Sequence, residues 1–311
     1  MDDLVFSLHA TIPVFLMMVL GYVFRKLGLF SEETAAKMNT FVFKVTLPVM
    51  LFGDLAELPL REAWDTRFVL FCFGVTVFSV SAAIAVSFLF RDRSAQGEFI
   101  QAAYRSSAAI LGIAFISNIY GNSGMAPLMI IGSVPLYNAL AVVVLSFFQP
   151  ERKPLDAALW KKTLKGVVTN PILLGIVAGL VWSALRLPIP PILQKTVSNL
   201  GGISSPLGLM AMGATFDPKK AVGRLAPSIT AALIKLLGFC ALFLPLAVWM
   251  GFRNEQLVAI LVMLGSATTV SSYVMARSMG HEGVLSSSVV MLTTLLSAFT
   301  LTFWLWLLRS M

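Results

Sequence analysis

Charge is what this sequence has least of. Only 12% of its 311 residues are Asp, Glu, Lys or Arg, and it holds two histidines and two cysteines. A soluble domain carries roughly 25% charged residues, so a soluble fold is excluded. Cys72 and Cys240 each sit inside an apolar run, where a thiol behaves as a small hydrophobe; they form no metal motif. His9 and His281 fall at the ends of apolar runs and read as solvated. Missing too are a nucleophile–base constellation, His/Cys ligand spacing and a phosphate-binding Gly-x-x-x-x-Gly-Lys loop, so neither an enzyme nor a cofactor or metal is expected. The first apolar run follows Met-Asp-Asp-Leu with no positive stretch, and reads as a span rather than a cleavable signal.

What is present is apolar sequence. Hydrophobic residues make up 58% of the chain, and the mean hydropathy is +0.86. Runs of about 20 residues, each able to cross a bilayer, recur along the whole length. Ten spans are expected: 5–24, 34–55, 68–90, 99–120, 125–148, 166–187, 192–216, 226–250, 257–275 and 284–308. The fold class is an all-α polytopic membrane protein. Its net charge of +8 reports topology rather than nucleic acid. Alternate connections hold thirteen basic residues (Arg25, Lys26, Arg91, Arg93, Arg152, Lys153, Lys161, Lys162, Lys165, Lys219, Lys220, Arg224 and Arg277) against six on the other side. The positive-inside rule puts the richer set in the cytoplasm and both termini outside it.

Ten spans divide into a first repeat at 1–148, a cytoplasmic linker at 149–165 and a second repeat at 166–311. Five spans per half force the halves into opposite orientations. At an offset of 158, Thr11-Ile-Pro13 and Gly21 match Thr169-Asn-Pro171 and Gly179, and Pro48 matches Pro206. Inverted repeats with helix-interrupting residues at corresponding places point to a secondary transporter. Each intramembrane proline can simply kink its helix, or place a kink against a cavity.

Two spans carry unusual polarity. In the stretch from Gly265 to Tyr273 six of nine side chains bear a hydroxyl, and at 100° per residue they point nearly all round a helix. Such a segment survives in hydrocarbon only if protein or water surrounds it, which is also where a membrane helix can break. Span four offers a counterpart in Arg105, Ser106, Ser107, Gly112 and Asn118. If both spans unwind and cross, helix N-termini converge on a site for an anion. The alternative is two continuous helices packed through small residues. Ser106, Ser107, Gly112, Asn118, Gly265, Thr268, Ser271 and Ser272 are the expected lining. Charges within spans are few: Lys44 and Arg105 are placed either to snorkel or to act, and Lys235 either pairs with backbone carbonyls or tunes the charge of a cavity. Asp54 lies near an outer end. No buried acidic pair is evident, which weighs against a carboxylate-based cation/proton antiporter.

Several stretches together resemble the auxin efflux carrier family in its compact bacterial form. They are 38–52 (MNTFVFKVTLPVMLF), 170–175 (NPILLG), 205–214 (SPLGLMAMGA), 270–276 (VSSYVMA) and 293–297 (TTLLS). The resemblance implies a ten-helix inverted repeat like that of bile-acid and sodium/proton carriers. Spans 1, 2, 6 and 7 would form a scaffold that often makes a homodimer contact. Spans 3–5 and 8–10 would form a moving domain, with broken helices 4 and 9 crossing at the substrate site. It implies transport of organic anions, auxin-like carboxylates or dicarboxylates, across the bacterial inner membrane, driven by the membrane potential or by protons. Matching the family's motifs puts Ala114 and Ala267 where its crossover prolines stand, and Ser107 and Ser271 where its asparagines stand. With Pro48 and Pro206 these alanines are the expected hinges. The expected function is therefore a secondary carrier working by alternating access; a membrane receptor that binds an organic anion without moving it, or a passive channel, are the other classes.

Overall fold

The computed structural model describes residues 2–57, 64–90, 93–108, 113–120, 125–150, 161, 164–166 and 168–309. Among these every regular element is a helix. We number them α1 (Asp2–Lys26), α2 (Glu32–Phe41), α3 (Leu47–Ala56), α4 (Thr66–Ser87), α5 (Gln96–Tyr104), α6 (Ile113–Tyr120) and α7 (Ala126–Phe147). Then follow α8 (Pro171–Ala184), α9 (Pro191–Gly202), α10 (Ser204–Thr215), α11 (Pro218–Gly223), α12 (Leu225–Leu233), α13 (Phe239–Trp249), α14 (Asn254–Gly265), α15 (Val270–Ser278) and α16 (Val284–Arg309). Five described helices are long and apolar enough to cross a bilayer: Glu32–Ala56, Thr66–Ser87, Ala126–Phe147, Leu225–Trp249 and Val284–Leu308. The bent pair α14 and α15 makes a sixth.

Local sequence explains where helices start and widen. Ser31 caps α2 by accepting from the Thr34 N–H at 3.0 Å, and Asn170 caps α8 by accepting from the Ile172 N–H at 2.9 Å. With Pro171 at the first helical position, the apolar helix there starts later than the expected 166. A wide π turn at Val42–Thr46 joins α2 to α3 just before Pro48. Such a turn makes room for a ring that cannot donate to the carbonyl four residues back. Pro206 is accommodated differently. The chain breaks at Ile203 and the proline enters the first turn of α10, where no intrahelical donor is required. A second π turn, Ile234–Gly238, joins α12 to α13.

Two crossings are packed backbone to backbone. A Cβ on Gly21 of α1 would lie 2.2 Å from the Met210 carbonyl of α10, and one on Gly213 1.9 Å from the Met18 carbonyl. In the α3–α8 crossing a Cβ on Gly179 would lie 2.8 Å from the Phe52 carbonyl, and one on Gly175 2.4 Å from that of Pro48. Gly21 meets Met210 as Gly179 meets Phe52, and both pairs are related by the offset of 158. Gly201 likewise sits close on Met50, whereas Gly202 faces open space.

Large apolar side chains such as Leu70, Phe73 and Phe78 on α4, and Leu174, Val177 and Val181 on α8, remain exposed. A belt of this kind is stable against lipid rather than water. By contrast α5 is buried along its whole length, and α14 from Leu257 to Gly265. The apolar run of α14 belongs in the interior on all its sides, whereas α5 carries Gln96, Glu98 and Gln101 inside because each is hydrogen-bonded there; these two helices carry the breaks. His281 is a correction. Rather than solvated it is 2% exposed, with Nε2 3.0 Å from the Leu145 carbonyl, because the chain folds the end of that apolar run back under α7.

Candidate functional site

The polar stretches of the fourth and ninth apolar runs both interrupt their helices. After α5 the backbone of Arg105 is extended, at φ −74° and ψ 145°, and α6 lies beyond this break. After α14 the backbone of Ser266 is extended at φ −72° and ψ 160°, and Thr269 leads into α15 at a bend of 40°.

The two interruptions are laid against each other. The Ser107 N–H donates to the Ala267 carbonyl at 2.9 Å. The Ser106 and Ser266 hydroxyls are 2.6 Å apart. Thr268 donates through Oγ1 to the Ala102 carbonyl at 2.8 Å, and its own N–H reaches Thr293 Oγ1 at 2.9 Å. Gln101 Nε2 donates to the Ser272 carbonyl at 2.8 Å. Helix ends leave orphan N–H and C=O groups, so a buried break needs such substitutes. Here the Thr268 and Thr293 hydroxyls, the Gln101 amide and a backbone bond between the two breaks supply them.

Two cations are held at this crossing, each 1% exposed. The Arg105 guanidinium donates to Ser271 Oγ at 2.6 Å, Asn138 Oδ1 at 2.8 Å and Gln101 Oε1 at 3.3 Å. Its Nη1 also lies 3.0 Å from Met275 Sδ, and its Nε has no partner among the described residues. Lys235, in the π turn at Ile234–Gly238, donates to Ser106 Oγ at 3.0 Å and to the Met263 and Leu264 carbonyls at the end of α14. Of the two placements open for Lys235, the structure shows pairing with backbone carbonyls. Arg105 does not snorkel, whereas Lys44 is exposed.

A cavity of about 40 Å³ opens beside the crossing. One wall is polar: Arg105, Ser106, Ser107, Asn138, Thr269 and Ser271. Leu47, Met50 and Leu51 of α3 form the other. The positive end of α15 and the Arg105 guanidinium therefore face one small volume, an arrangement that attracts an anion.

Of the expected lining, Ser106, Ser107 and Ser271 meet on this wall with Arg105. Thr268 ties the two breaks together instead. Ser272 Oγ is buried without a partner among the described residues, and Gly265 is pressed against Cys240, where a Cβ would lie 2.9 Å from Sγ. Gly112 lies outside the described residues; Asn118 falls on α6 with its side chain outside them. Ala267 lies within the second break, and Ala114 is the second residue of α6. Pro48 is buried on α3, one residue from Leu47 of the apolar wall.

Asn138, Thr269 and Gln101 complete the site and were not among the expected residues. Asn138 is an amide inside an otherwise apolar span, a signal in its own right. Gln101 sits one helical turn before Arg105, where side chains meet. Also unforeseen is Glu98, 2% exposed, whose carboxylate accepts from the Gly283 and Ser286 N–H groups, both at 2.9 Å. It thereby places a negative charge at the positive end of α16. No cluster of His, Cys, Asp or Glu among the described residues could hold a metal.

Apolar helices wrapped around two buried, hydrogen-bonded breaks define a protein that works inside the bilayer on a small solute. The chain belongs to the auxin efflux carrier family, whose model, described as membrane transport protein, matches residues 6–305. It is 27% identical to a protein of Rhizobium meliloti named "Putative malonate transporter", over 96% of this chain and 95% of that one. An uncharacterized transporter of Methanothermobacter thermautotrophicus is 20% identical over 96% of this chain and 97% of its own. Another, from Methanocaldococcus jannaschii, is 21% identical over the same shares. Family and relatives are transporters, so the chain is a multi-pass membrane transport protein and not an enzyme.

Proposed function

We propose that this chain is a secondary carrier of small organic anions, dicarboxylates foremost, and that the crossing at Arg105 and Ser271 is its substrate site. The observation that carries the proposal is the buried Arg105 guanidinium. It faces a cavity, its hydrogen-bond partners among the described residues are neutral, and a buried cation without a carboxylate is costly unless something anionic joins it. The malonate named for the Rhizobium relative is of the right charge and size class.

On this reading fifteen of the sixteen described helices group into ten spans, α1, α2–α3, α4, α5–α6, α7, α8, α9–α10, α12–α13, α14–α15 and α16, and the short α11 connects the seventh to the eighth. The paired contacts Gly21–Met210 and Gly179–Phe52 at the offset of 158 support two inverted repeats. Spans one, two, six and seven are then the scaffold, and a second copy would dock on it. A cavity of about 40 Å³ holds about three waters, less than a dicarboxylate needs. Loading the site therefore requires the apolar wall of α3 and the polar wall of the crossing to part, and their relative movement is the alternating-access step. Proteoliposome flux with malonate, succinate and a monocarboxylate tests the proposal. Saturable uptake that falls in Ser107→Ala and Ser271→Ala is expected. Saturable transport untouched by both substitutions would place the substrate elsewhere.

A further inference from the structure

The two buried cations are not equivalent, and the difference has a chemical meaning. Lys235 does not border the cavity; Ser106 stands between it and that space. An ammonium has three protons to donate, and three oxygens take them: Ser106 Oγ, Met263 O and Leu264 O. Nothing is left over for a transported solute. Around this trio the Ser106 hydroxyl also lies 2.6 Å from Ser266 Oγ and 3.4 Å from the Val262 carbonyl.

The nest thus gathers neutral oxygens from both breaks, chiefly the last carbonyls of a half-helix, whose dipole end is negative. Carbonyls at the end of an interrupted helix, helped by hydroxyls, form a donor set that takes sodium in carriers with broken helices. Here the protein's own ammonium fills it. The π turn at Ile234–Gly238 brings Lys235 into place, and the Trp304 indole holds that turn by donating to the Leu236 carbonyl at 3.0 Å.

We infer that Lys235 is a tethered monovalent cation occupying the inorganic-cation position of the crossing, so that anion transport by this chain requires no sodium or other alkali ion. The location of the crossing as a transport site rests on the proposed function; the filled cation nest does not. Lys235 is a positioning residue, since it holds Ser106 and the end of α14 rather than the solute.

The test has two arms on the full-length protein. First, malonate flux and melting temperature of the unaltered protein are compared in sodium, potassium and N-methylglucamine chloride; both are expected to be indifferent to the cation. A sodium requirement for flux, or specific stabilisation by sodium, overturns the inference while leaving the carrier reading intact. Second, Lys235→Ala is expected to melt roughly 5–10 °C lower and to regain much of that loss as sodium or ethylammonium is added. Lys235→Met, which refills the space without charge, should not respond. An alanine variant that melts like the parent and ignores added cations overturns the inference. Should the alanine variant fail to fold, the first arm decides. Absence of flux for any organic anion in any salt would instead sink the carrier reading, and the melting measurements would still judge Lys235.

Discussion

Helices are joined in this molecule in two contrasting ways. At the α1–α10 and α3–α8 crossings, glycine lets backbone touch backbone. At the α5–α14 crossing, extended chain, hydroxyls and two cations are linked by hydrogen bonds. A steric joint has one fit, because close-packed surfaces shift only by parting. A hydrogen-bonded joint can be remade with another partner at a net difference of about 1 kcal/mol per bond. The difference assigns rigidity to the first group of helices and adaptability to the second. It also explains why the charged and hydroxylated residues gather where solute would be exchanged.

The largest effect should come from breaking the steric joint. Gly213→Leu drives a side chain into the Met18 backbone, whose carbonyl oxygen would lie 1.9 Å from the new Cβ. A backbone cannot swing aside as a side chain does, so a loss of about 3 kcal/mol or more is expected. The check is melting temperature and monodispersity in detergent. A variant as stable as the parent would show that the two helices do not bear on each other and that this crossing is not a rigid joint.

Arg105→Gln should produce the opposite profile. Removing the guanidinium abolishes the charge that faces the cavity, and flux should fall by roughly 100-fold, the scale of a desolvated charged contact. Stability should hold or rise, because an unpaired buried cation is itself a cost. Near-normal flux in that variant would remove Arg105 from the site. Lowered stability with normal flux would make it a structural group like Lys235.

Much of this arrangement is legible in the sequence, and the part that is not has a common cause. Apolar length reveals the helices, and a run of hydroxyls all round a helix reveals where 257–275 breaks, because both are local properties. The prolines mark real interruptions, a π turn before Pro48 and a break before Pro206. What stays hidden is who meets whom. Asn138 and Ser271 come to Arg105 across 33 and 166 positions, and Glu98 finds α16 across 185 and 188. No spacing rule encodes such pairs. His281 misleads for the same reason, since its place at the end of an apolar run does not show that Leu145 folds over it.

A smaller effect sharpens the polar side of the contrast. Glu98→Gln keeps one carbonyl acceptor for the N–H groups at the start of α16 but removes the negative charge at that positive helix end. A cost of about 0.3–2 kcal/mol is expected, read as a modest fall in melting temperature with flux retained. If flux collapses while stability holds, Glu98 acts in transport and not as a cap.

The smallest effect concerns the seam between the two kinds of joint. Three contacts tie α15 to α2, which runs into α3, and to α10: Asn39 Nδ2 reaches the Val274 carbonyl at 3.3 Å and Ser278 Oγ at 3.1 Å, and the Thr215 hydroxyl meets that of Tyr273. Beside them Gly208 lets Val270 and Val274 pack close. If this seam is where the two groups slide, its bonds belong to one orientation of the carrier and are lost in the other. Removing one through Tyr273→Phe then shifts the balance by the net worth of a neutral bond, about 0.5–1.5 kcal/mol, or roughly a factor of 2–12 in population. The fold should be unaffected. The measurement is labelling of a cysteine placed at Met50, on the apolar wall of the cavity, by an impermeant maleimide added to one membrane face at a time. A changed ratio between faces supports a sliding seam. An unchanged ratio, with the parent's melting temperature, means the Thr215–Tyr273 bond lies within one rigid body, and the adaptable half of the molecule must end deeper, at the crossing of α5 and α14 itself.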